Sequence, residues 1–351
     1  MRVEYFLIPF AVAFVFTPLV RLAAGKLGLY AKVNERTVHM DKIVRIGGVA
    51  VFVAFVSGLV IFAKFDRTMT GILLGATIIF VTGLVDDIID IRAIVKLFMQ
   101  IVAALVLIYV GEISLDKFNL PFGWIITNEF ILNIITFVWI VGVTNAINLI
   151  DGLDGLASGI CLIVLITLYI IAGSFGGANS LLLVGLVMGA IAGFLPYNFY
   201  PASIFLGDCG SQLLGYLMAC ITIISFKSTA FITLLLPIAL LFVPLVDSLV
   251  AIIRRKSRGK KIMDADKSHL HHILMFNLHL GHRNTVLVLY GVSMIFGASA
   301  YLYRYDPAVG SIVLLILALL FEVFVEYTGM ITSKYHPIIS FLKWIFKKKN
   351  G

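Results

Sequence analysis

Apolar stretches long enough to cross a lipid bilayer recur along the whole chain. A transmembrane helix needs roughly 17 to 25 mostly apolar residues, and eleven stretches approach that length, at about 4–22, 43–63, 71–86, 93–111, 130–149, 155–173, 180–196, 210–226, 229–252, 285–303 and 309–328. None alternates polar and apolar residues as a barrel strand does, so helices are the spanning element. Only 13% of the residues are charged, against roughly a quarter in soluble domains. We therefore expect an all-α, polytopic integral membrane protein with about eleven transmembrane helices.

The basic residues are distributed unevenly between alternate connections. With the N-terminus placed outside, 21 of the 27 lysines and arginines fall on the cytoplasmic side, where membrane proteins concentrate them. This bias predicts an outside N-terminus and a cytoplasmic C-terminus. The net charge of +8 then reflects topology and attraction to anionic membrane lipid, and it gives no case for nucleic-acid binding.

Neither the two ends of the sequence nor the cysteines indicate a catalytic or metal-binding site. The first apolar run is long enough to span and lacks a small-residue cleavage site after it, so we expect it to remain as the first span. Residues 331–351 are basic and are expected to form an amphipathic cytoplasmic tail. Cys161, Cys209 and Cys220 are isolated, which indicates neither a disulfide framework nor a thiolate zinc site.

Four polar clusters interrupt this apolar chain, and the most concentrated is NAINLIDGLDGL. Asn145, Asn148, Asp151 and Asp154 recur every third residue, so on a helix or its frayed end they form one drifting polar stripe. Such residues are costly in a membrane unless they face a wet cavity, a cation or a polar ligand. The two Asp-Gly steps suggest a helix that ends and opens into a loop. The alternative is a polar seam between packed helices.

A second cluster is LVDDIIDIRAIVKLFMQ. Asp86 and Asp90 are one helical turn apart and form an acidic face with Asp87 at a membrane boundary. Lys96 and Gln100 extend the polar face into the next span. The lysine could reach the lipid headgroups or pair with a phosphate, and three acids alone could equally be a solvated loop edge.

The third cluster, NFYPASIFLGDCGS, contains Asn198, Phe205 and Asp208. Gly207 and Gly210 flank the aspartate, which allows the backbone to approach a ligand or an ion closely. Asp208 could also be a simple helix cap. Phe205 could stack on a base, although a core aromatic is the commoner case.

The fourth cluster lies in the longest connection, beyond a basic run at 254–261 that is by default a membrane anchor. The histidines have no thiolate or HExxH pattern near them, so phosphate binding or proton exchange is favoured over a zinc site. The polar residues of this cluster are Asp264, Asp266, Lys267, His269, His271 and His272.

Carboxylates, cations and histidines on one membrane face favour a particular chemistry. Carboxylate oxygens with retained water suit Mg²⁺, which usually bridges to substrate phosphates. Phosphoryl transfer needs such a metal and cationic groups around the phosphates, so the pattern indicates a phosphotransferase that acts on a lipid. A secondary transporter is an alternative, but it would place its polar groups near the midplane of repeated halves, and no internal repeat is evident. A non-catalytic scaffold would not need four converging clusters.

These motifs, in this order, resemble the polyprenyl-phosphate N-acetylhexosamine-1-phosphate transferase family. The matching pieces are DDIID with KLFMQ, NAINLIDGLDGLASG, NFYPASIFLGDCGS and DADKSHLHH, and with RIGGVAVF they extend from about residue 34 to residue 283. The first loop departs from the family pattern, since Ala31, Val33 and Val44 replace an Asp and two Pro residues.

The histidine segment SHLHHILMFNLHLGHRNTVLVLYG resembles the branch that uses UDP-N-acetylglucosamine (UDP-GlcNAc). The resemblance implies transfer of GlcNAc-1-phosphate from UDP-GlcNAc to undecaprenyl phosphate, which releases UMP and starts a cell-envelope polysaccharide. Transfer of phospho-N-acetylmuramoyl-pentapeptide, or of another UDP-HexNAc, is the alternative within the family. Residues 1–330 would then be one catalytic transmembrane domain, with cytoplasmic loops at 23–43, 86–96, 148–155, 197–210 and 253–284. The expected location is the bacterial cytoplasmic (inner) membrane, with the active site on the cytoplasmic face. A homodimer is left open.

The resemblance also implies roles for single residues. Asp208 matches the family's Mg²⁺ ligand, supported by Asp151, and Mn²⁺ is expected to substitute for Mg²⁺. Asp86 is expected to contact the lipid phosphate, and Asp154 the uracil edge. The expected catalytic residues are Asp86, Asp87, Lys96, His269, His271 and His272, and the expected substrate-binding residues are Asn145, Asn148, Asp151, Asp154, Asn198 and Phe205.

Overall fold

The protein is a bundle of helices, as the apolar runs predict. The computed structural model describes residues 2–30, 43–119, 124–172, 177–226, 235–259, 269–332 and 335–341. The helices are α1 Glu4–Lys26, α2 Gly48–Phe62, α3 Arg67–Ile89, α4 Ala93–Tyr109, α5 Glu129–Ile150, α6 Leu156–Ala172, α7 Ala178–Asn198, α8 Gly207–Phe226, α9 Leu235–Leu240, α10 Phe242–Ser257, α11 Leu270–His272, α12 Gly281–Tyr305 and α13 Pro307–Thr328. A π-helical turn at Ile273–Asn277 follows α11, and two short antiparallel strands, β1 Phe118–Asn119 and β2 Ile125–Ile126, lie between α4 and α5.

Seven of the helices in the described part of the chain are long and apolar enough to cross a membrane. They are α1, α3, α5, α7, α8, α12 and α13, while α2, α4 and α6 are shorter apolar helices. The polytopic, mainly helical architecture is therefore confirmed. The count of eleven spans and their orientation stay predictions.

The predicted span at 229–252 differs from the structure. Residues 227–234 lie outside the described part of the chain, and the remainder is divided into α9 and α10 at Leu241. Pro244 lies in the first turn of α10. Because proline lacks a backbone N–H and its ring clashes with the carbonyl four residues earlier, it cannot continue the helix from α9.

Side-chain caps begin three of the long helices at one end of the bundle. Asp66 accepts the Met69 amide ahead of α3, and Asn128 accepts the Ile131 amide ahead of α5. Asp306 accepts two amides of α13, which starts with a proline at a position where no amide is needed. Helices α3 and α5 therefore run toward the other end, which we call the polar end.

Helix α8 is the centre of the bundle. It packs against α2, α3, α5, α6 and α7, and 94% of its most apolar 18-residue window is buried, against 17% for α13. Small residues allow this close packing: Gly83 of α3 faces the backbone of Cys209, and Gly215 of α8 faces the backbone of Thr144. The ends of α3 and α5 are therefore held tightly beside the first residues of α8.

Candidate active site at the polar end of the bundle

Asp208, in the first turn of α8, is where the charged side chains meet. Its Oδ2 accepts from Arg45 Nη2 at 3.0 Å and lies 3.7 Å from Lys96 Nζ. Its Oδ1 accepts from Asn148 Nδ2 at 2.7 Å. Both carboxylate oxygens therefore have partners from other segments, and the capping role that sequence alone allowed is not what these contacts show. We call Asp86, Asp87, Asp208, Arg45 and Lys96 the acidic centre.

Asp87 caps the helix that carries Asp208. Its two carboxylate oxygens accept the backbone amides of Asp208 and Cys209, each at 2.9 Å. The first amides of a helix have no partner within the helix, and its positive N-terminal dipole favours a negative charge. The Asp87 side chain is fully buried, and its Oδ1 also lies 3.4 Å from Arg45 Nε. Asp87 therefore fixes the position of Asp208 from a neighbouring helix.

Asp86 and Lys96 join α3 to α4. Asp86 Oδ1 accepts the Ile91 amide at 2.9 Å, and Oδ2 accepts from Lys96 Nζ at 2.8 Å. The lysine thus lies between the carboxylates of Asp86 and Asp208, with about a quarter of its side chain exposed. Asp90, the third acid of this motif, ends α3 in a left-handed conformation and is exposed. Of the three acids in this motif, Asp86 and Asp87 therefore belong to the acidic centre, and Asp90 does not.

Arg45 reaches the acidic centre through an extended segment. Val44 pairs with Ile204, and the Phe205 amide donates to the Val44 carbonyl at 2.8 Å. The Gly47 amide donates to the Phe205 carbonyl at 2.9 Å. These bonds hold residues 44–47 beside the segment that leads into α8. Arg45 therefore lies directly against Asp208.

The charge of Arg45 is reinforced by its neighbours. Burial by itself lowers the pKa of Arg45, but the negative charges of Asp208 and Asp87 and, at longer range, of Asp151 and Asp86 raise it, and the net pKa lies above the ordinary value. The guanidinium is therefore a permanent cation within the acidic centre.

The side-chain amides of Asn145 and Asn148 on α5 form hydrogen bonds with residues of α4 and α8. Asn145 Nδ2 donates to Gln100 Oε1 at 2.7 Å, and Gln100 Nε2 donates to Gln212 Oε1 at 3.0 Å. One turn later, Asn148 Nδ2 donates to Asp208 and, at 2.8 Å, to Ser211 Oγ. Asn145 thus belongs to a buried amide network that joins α4, α5 and α8, whereas Asn148 contacts the acidic centre itself.

The Asp-Gly steps end α5 as expected. Asp151 is the residue after the last helical position, and Gly155 has a positive φ of 74°, which is left-handed backbone that glycine adopts without strain. Gly152 serves a different purpose, because a Cβ placed there would lie 2.5 Å from His271 Nε2. The pKa of Asp151 is raised to about 8, first by desolvation and next by the negative charge of Asp208.

Three of the expected substrate ligands have internal contacts instead. Asp154 Oδ2 accepts the Ala202 amide at 2.9 Å, and Asp154 is 5% exposed. Asn198 accepts from Ser158 Oγ at 2.6 Å and donates to the Ile204 carbonyl at 3.1 Å. Phe205 is partly buried, and its backbone pairs with the Val44 segment.

These three residues shape the segment that leads into α8. The Asp154 carboxylate is held by the Ala202 amide at Oδ2, lies 3.7 Å from His282 Nε2 at Oδ1 and is almost fully enclosed. Their expected roles as substrate ligands stay predictions.

The histidine segment lies beside the NAINLIDGLDGL turn. His269 Nδ1 is 3.0 Å from Asp247 Oδ2, and the rings of His269 and His271 are parallel with centroids 5.9 Å apart. Burial lowers the pKa of His271 to about 3, against the attraction of Asp247, so His271 is neutral at neutral pH. His272 stacks on Phe276. The preceding cluster residues Asp264, Asp266 and Lys267 lie outside the described residues, as do residues 31–42 of the first loop.

Sequence reasoning missed three residues that the structure places here. Arg45 was only one of many basic residues at a span boundary. Asp247 could have been noticed, because a lone carboxylate within a predicted span is a strong signal of a polar site. His282 accepts the Asp154 amide at 2.9 Å through Nε2 and stacks on Tyr200, and nothing in its sequence context suggested this contact.

The acidic centre suits a divalent cation that is shared with a phosphate. Lys96 already lies between two carboxylates, a position in which positive charge is favoured. Among the described residues, no group of three or more His, Cys, Asp or Glu side chains could hold a metal alone. Mg²⁺ in proteins is usually held by one or two carboxylates together with substrate phosphates and water. The residues present therefore fit a metal bound together with a phosphate ligand, and they do not fit a closed protein cage.

Fold and site together define a multi-pass membrane protein with a cluster of carboxylates and cations at one end of the bundle. Residues 69–226 match the model of the family described as glycosyl transferase family 4. The chain is 38% identical, over 98% of its length and 96% of the relative, to the probable undecaprenyl-phosphate N-acetylglucosaminyl 1-phosphate transferase of Bacillus subtilis.

The chain is also similar to enzymes of two branches, which transfer different sugar phosphates. The chain is 32% identical to the decaprenyl-phosphate N-acetylglucosaminephosphotransferase of Mycobacterium tuberculosis, over 81% of this chain and 78% of the relative. It is 33% identical to the phospho-N-acetylmuramoyl-pentapeptide-transferase of Streptococcus uberis, over only 50% of this chain and 56% of the relative. The chain belongs to glycosyl transferase family 4, as a polyprenyl-phosphate N-acetylhexosamine-1-phosphate transferase that resembles the N-acetylglucosamine branch.

Proposed function

We propose that this protein transfers GlcNAc-1-phosphate from UDP-GlcNAc to undecaprenyl phosphate. The products are UMP and undecaprenyl-pyrophosphoryl-GlcNAc, the first lipid-linked intermediate of a cell-envelope polysaccharide. The observation that carries the proposal is the convergence of three carboxylates and two cations at the first turn of α8. Its support from relatives is the similarity over nearly the whole chain to an enzyme named for this transfer.

The reaction exchanges one phosphoanhydride bond for another, while the sugar–phosphate and lipid–phosphate esters stay intact. An oxygen of the lipid phosphate attacks the phosphorus that carries the sugar, the pyrophosphate bond to UMP breaks, and UMP leaves with the bridging oxygen. A phosphate monoester has its second pKa at roughly 6, so the acceptor is largely dianionic at neutral pH and needs orientation more than deprotonation. Bringing two anionic phosphates together is then the main electrostatic problem.

The cations of the acidic centre address that problem. Lys96 and Arg45 already neutralise carboxylates in the protein, and each can exchange a carboxylate partner for a phosphate oxygen. Arginine suits a bidentate contact with phosphate, and lysine acts as a compact charge. In this proposal Asp86, beside Lys96, would orient the lipid phosphate, while Asp87 caps the first turn of α8.

Mg²⁺ belongs to this proposal as the cofactor, with Mn²⁺ as a substitute. Asp208 and Asp151 would hold the metal together with the pyrophosphate of UDP-GlcNAc, and its charge would neutralise the phosphoryl oxygens. Asn148 orients Asp208 through its hydrogen bond. On this proposal the loops around Asp154, Asn198 and Phe205 receive the nucleotide and the sugar.

An apolar groove fits the lipid chain of the acceptor. Residues of α5 and α10 border a groove of about 330 Å³, lined by Ile134, Ile135, Val138, Trp139, Gly142, Val143 and Leu245. Its last residues on α5, Gly142 and Val143, precede Asn145 by three and two residues, a rise of roughly 3 to 5 Å. A polyprenyl chain in this groove would place its phosphate next to the acidic centre.

Topology is part of the proposal. Eleven spans, an outside N-terminus and a cytoplasmic C-terminus would put the polar end at the cytoplasmic face of the inner membrane, where UDP-sugars are available. The support is that the ends of α3, α5 and α7 and the starts of α4, α6 and α8 all meet there, on the side to which the basic residues are biased.

A panel of donor substrates tests the proposed activity. Purified protein in detergent receives undecaprenyl phosphate, Mg²⁺ and one of UDP-GlcNAc, UDP-GalNAc, UDP-glucose or UDP-MurNAc-pentapeptide, and UMP is quantified. We expect fastest release from UDP-GlcNAc, loss of release with EDTA, and recovery on addition of Mg²⁺ or Mn²⁺. Preference for the pentapeptide donor would support the alternative branch, and no UMP release from any donor would refute the proposal.

A further inference from the structure

Asp247 is a buried carboxylate that the proposed chemistry does not yet use. It lies on α10 and is 1% exposed. Its Oδ2 is 3.0 Å from His269 Nδ1, and its Oδ1 accepts the Leu270 amide at 2.7 Å. Burying a carboxylate is costly unless both oxygens have partners, and here both partners belong to the start of the histidine segment.

The hydrogen bond to Asp247 determines which nitrogen of His269 can act. A carboxylate only accepts hydrogen bonds, so the proton of the neutral imidazole must be on Nδ1. Nε2 then carries the lone pair, and it has no hydrogen-bond partner among the described residues. His269 is 6% exposed, so its ring is held by packing as well as by Asp247.

The position of this pair connects it to the rest of the site. The ring of His269 is parallel to that of His271, whose Nε2 lies against Gly152 in the turn that follows α5. Asp247 thus reaches the turn that begins with Asp151 through two stacked rings. Without the Asp247 carboxylate, the Leu270 amide would lose its acceptor, and the proton of His269 would no longer be held on Nδ1.

We propose that Asp247 is a positioning residue for the transfer reaction, which sets the tautomer of His269 and aims its Nε2 at the phosphate groups of the substrates. This inference rests on the proposed function. In metal sites, groups that orient a ligating histidine through its other nitrogen typically contribute 10- to 100-fold to metal affinity or activity, and we expect an effect of the same size for His269. An acid in this role acts only through the histidine.

The test is a double-mutant cycle of Asp247→Asn and His269→Gln. In Asp247→Asn, the asparagine Oδ1 can still accept the Leu270 amide, but its Nδ2 would donate to His269 Nδ1 and reverse the tautomer. We expect kcat for UMP release to fall about 10- to 100-fold, with KM for UDP-GlcNAc changed less than about threefold. Because the two residues act as a unit, adding Asp247→Asn to His269→Gln is expected to cause no further loss.

A matched control separates this role from a purely structural one. Glu326 is also fully buried and accepts two backbone amides, but these belong to Ile338 and Ile339, outside the histidine segment and the acidic centre. Glu326→Gln is expected to lower the thermal unfolding temperature and to leave kcat unchanged. If the losses from Asp247→Asn and His269→Gln multiply, or if Asp247→Asn retains the full kcat, the inference is wrong.

A second variant keeps the inference testable if Asp247→Asn is not recovered as folded protein. Asp247→Glu keeps an acceptor for Nδ1 and is expected to retain kcat within about tenfold of the wild type. A folded Asp247→Glu protein with the same loss as His269→Gln would contradict the inference. Wild-type protein that releases no UMP would instead refute the proposed function, so the two failures are distinguishable.

Discussion

The acidic centre and the histidine segment are built in different ways. The acidic centre takes four of its five side chains from the ends of α3, α4 and α8 and takes Arg45 from the extended segment before α2, and Asp87 of α3 caps the first turn of α8. The histidine segment is carried by a three-residue helix and a π-helical turn, and its first turn is tied to the bundle by one carboxylate, Asp247. The first region is therefore expected to be rigid before substrate binds, whereas the second is held by one polar anchor, Asp247, together with its buried apolar side chains.

This difference fits the two proposed roles, in which the acidic centre stabilises charge and the histidine segment positions the substrate. Electrostatic stabilisation is most effective when charges are already in place, which the helix ends provide. The histidine segment has a single carboxylate as its polar anchor, so its geometry is expected to be sensitive to the loss of that one group. Substitutions in the two regions are thus expected to differ in kind as well as in size.

The largest effect is expected from Lys96→Met. Methionine keeps the apolar stem but removes the ammonium group between Asp86 and Asp208. Removing one preorganised charge partner typically costs 10²- to 10³-fold in kcat, and we expect a loss of about this size in UMP release. Lys64→Met is the matched control, because Lys64 is exposed at the opposite end of the bundle, and it is expected to leave activity unchanged.

Asp87→Asn is expected to affect stability as well as activity. The new amide group would face a backbone N–H of Asp208 or Cys209, and a buried group left without a partner costs about 1 to 3 kcal/mol. Thermal unfolding in detergent should therefore show a lower midpoint than for the wild type. A midpoint equal to that of the wild type would show that the cap does not hold α8.

Gly152→Ala tests the contact between the α5 turn and the histidine segment. The added Cβ would displace His271, because it would lie 2.5 Å from Nε2. We expect kcat/KM for UDP-GlcNAc to fall about tenfold, below the 100-fold that a 1 Å displacement near the chemistry can cost. Gly291→Ala on α12, where a Cβ would meet nothing within 4 Å, is the control and should retain activity. Equal activities would show that the contact is not functional.

The smallest effect is expected at the ion pair between Arg67 and Glu112. Both side chains are mostly exposed, and they lie at the end of the bundle opposite the acidic centre. Exposed ion pairs typically contribute less than about 1 kcal/mol, so Glu112→Gln should change neither UMP release nor, beyond a degree or two, the unfolding midpoint. A marked loss of activity would contradict the assignment of the site to the polar end.

Hydropathy and local pattern were sufficient to predict the helical bundle and the stretches that carry polar groups. Apolar length predicts spanning helices because the bilayer leaves backbone groups no other partner, and the two Asp-Gly steps predict that the helix carrying Asn145 ends there and opens into a loop. Asp86, Lys96 and Asp208 meet in the structure after being predicted as parts of one site from separate motifs.

The pairing of side chains could not be predicted in the same way. Asp87 and Asp86 are neighbours in sequence, yet one caps α8 and the other pairs with Lys96. That distinction depends on the direction of each side chain relative to α8, which is set by tertiary packing such as the close approach of Gly83 to Cys209. Asn198 and Asp154 likewise have polar side chains with internal partners that no local pattern indicates.

The central claim is that the carboxylate of Asp208 supports phosphoryl transfer, and Asp208→Asn tests it most directly. Asparagine can still accept the hydrogen bond from Asn148, so the fold should be retained, while the charge that faces Arg45 and Lys96 is lost. Asp90→Asn is the control, since Asp90 is exposed and its left-handed backbone tolerates asparagine. We predict that Asp90→Asn releases UMP from UDP-GlcNAc and undecaprenyl phosphate at the wild-type rate and that Asp208→Asn releases it at least 100-fold more slowly. Equal rates for folded Asp208→Asn and wild-type protein would contradict the claim.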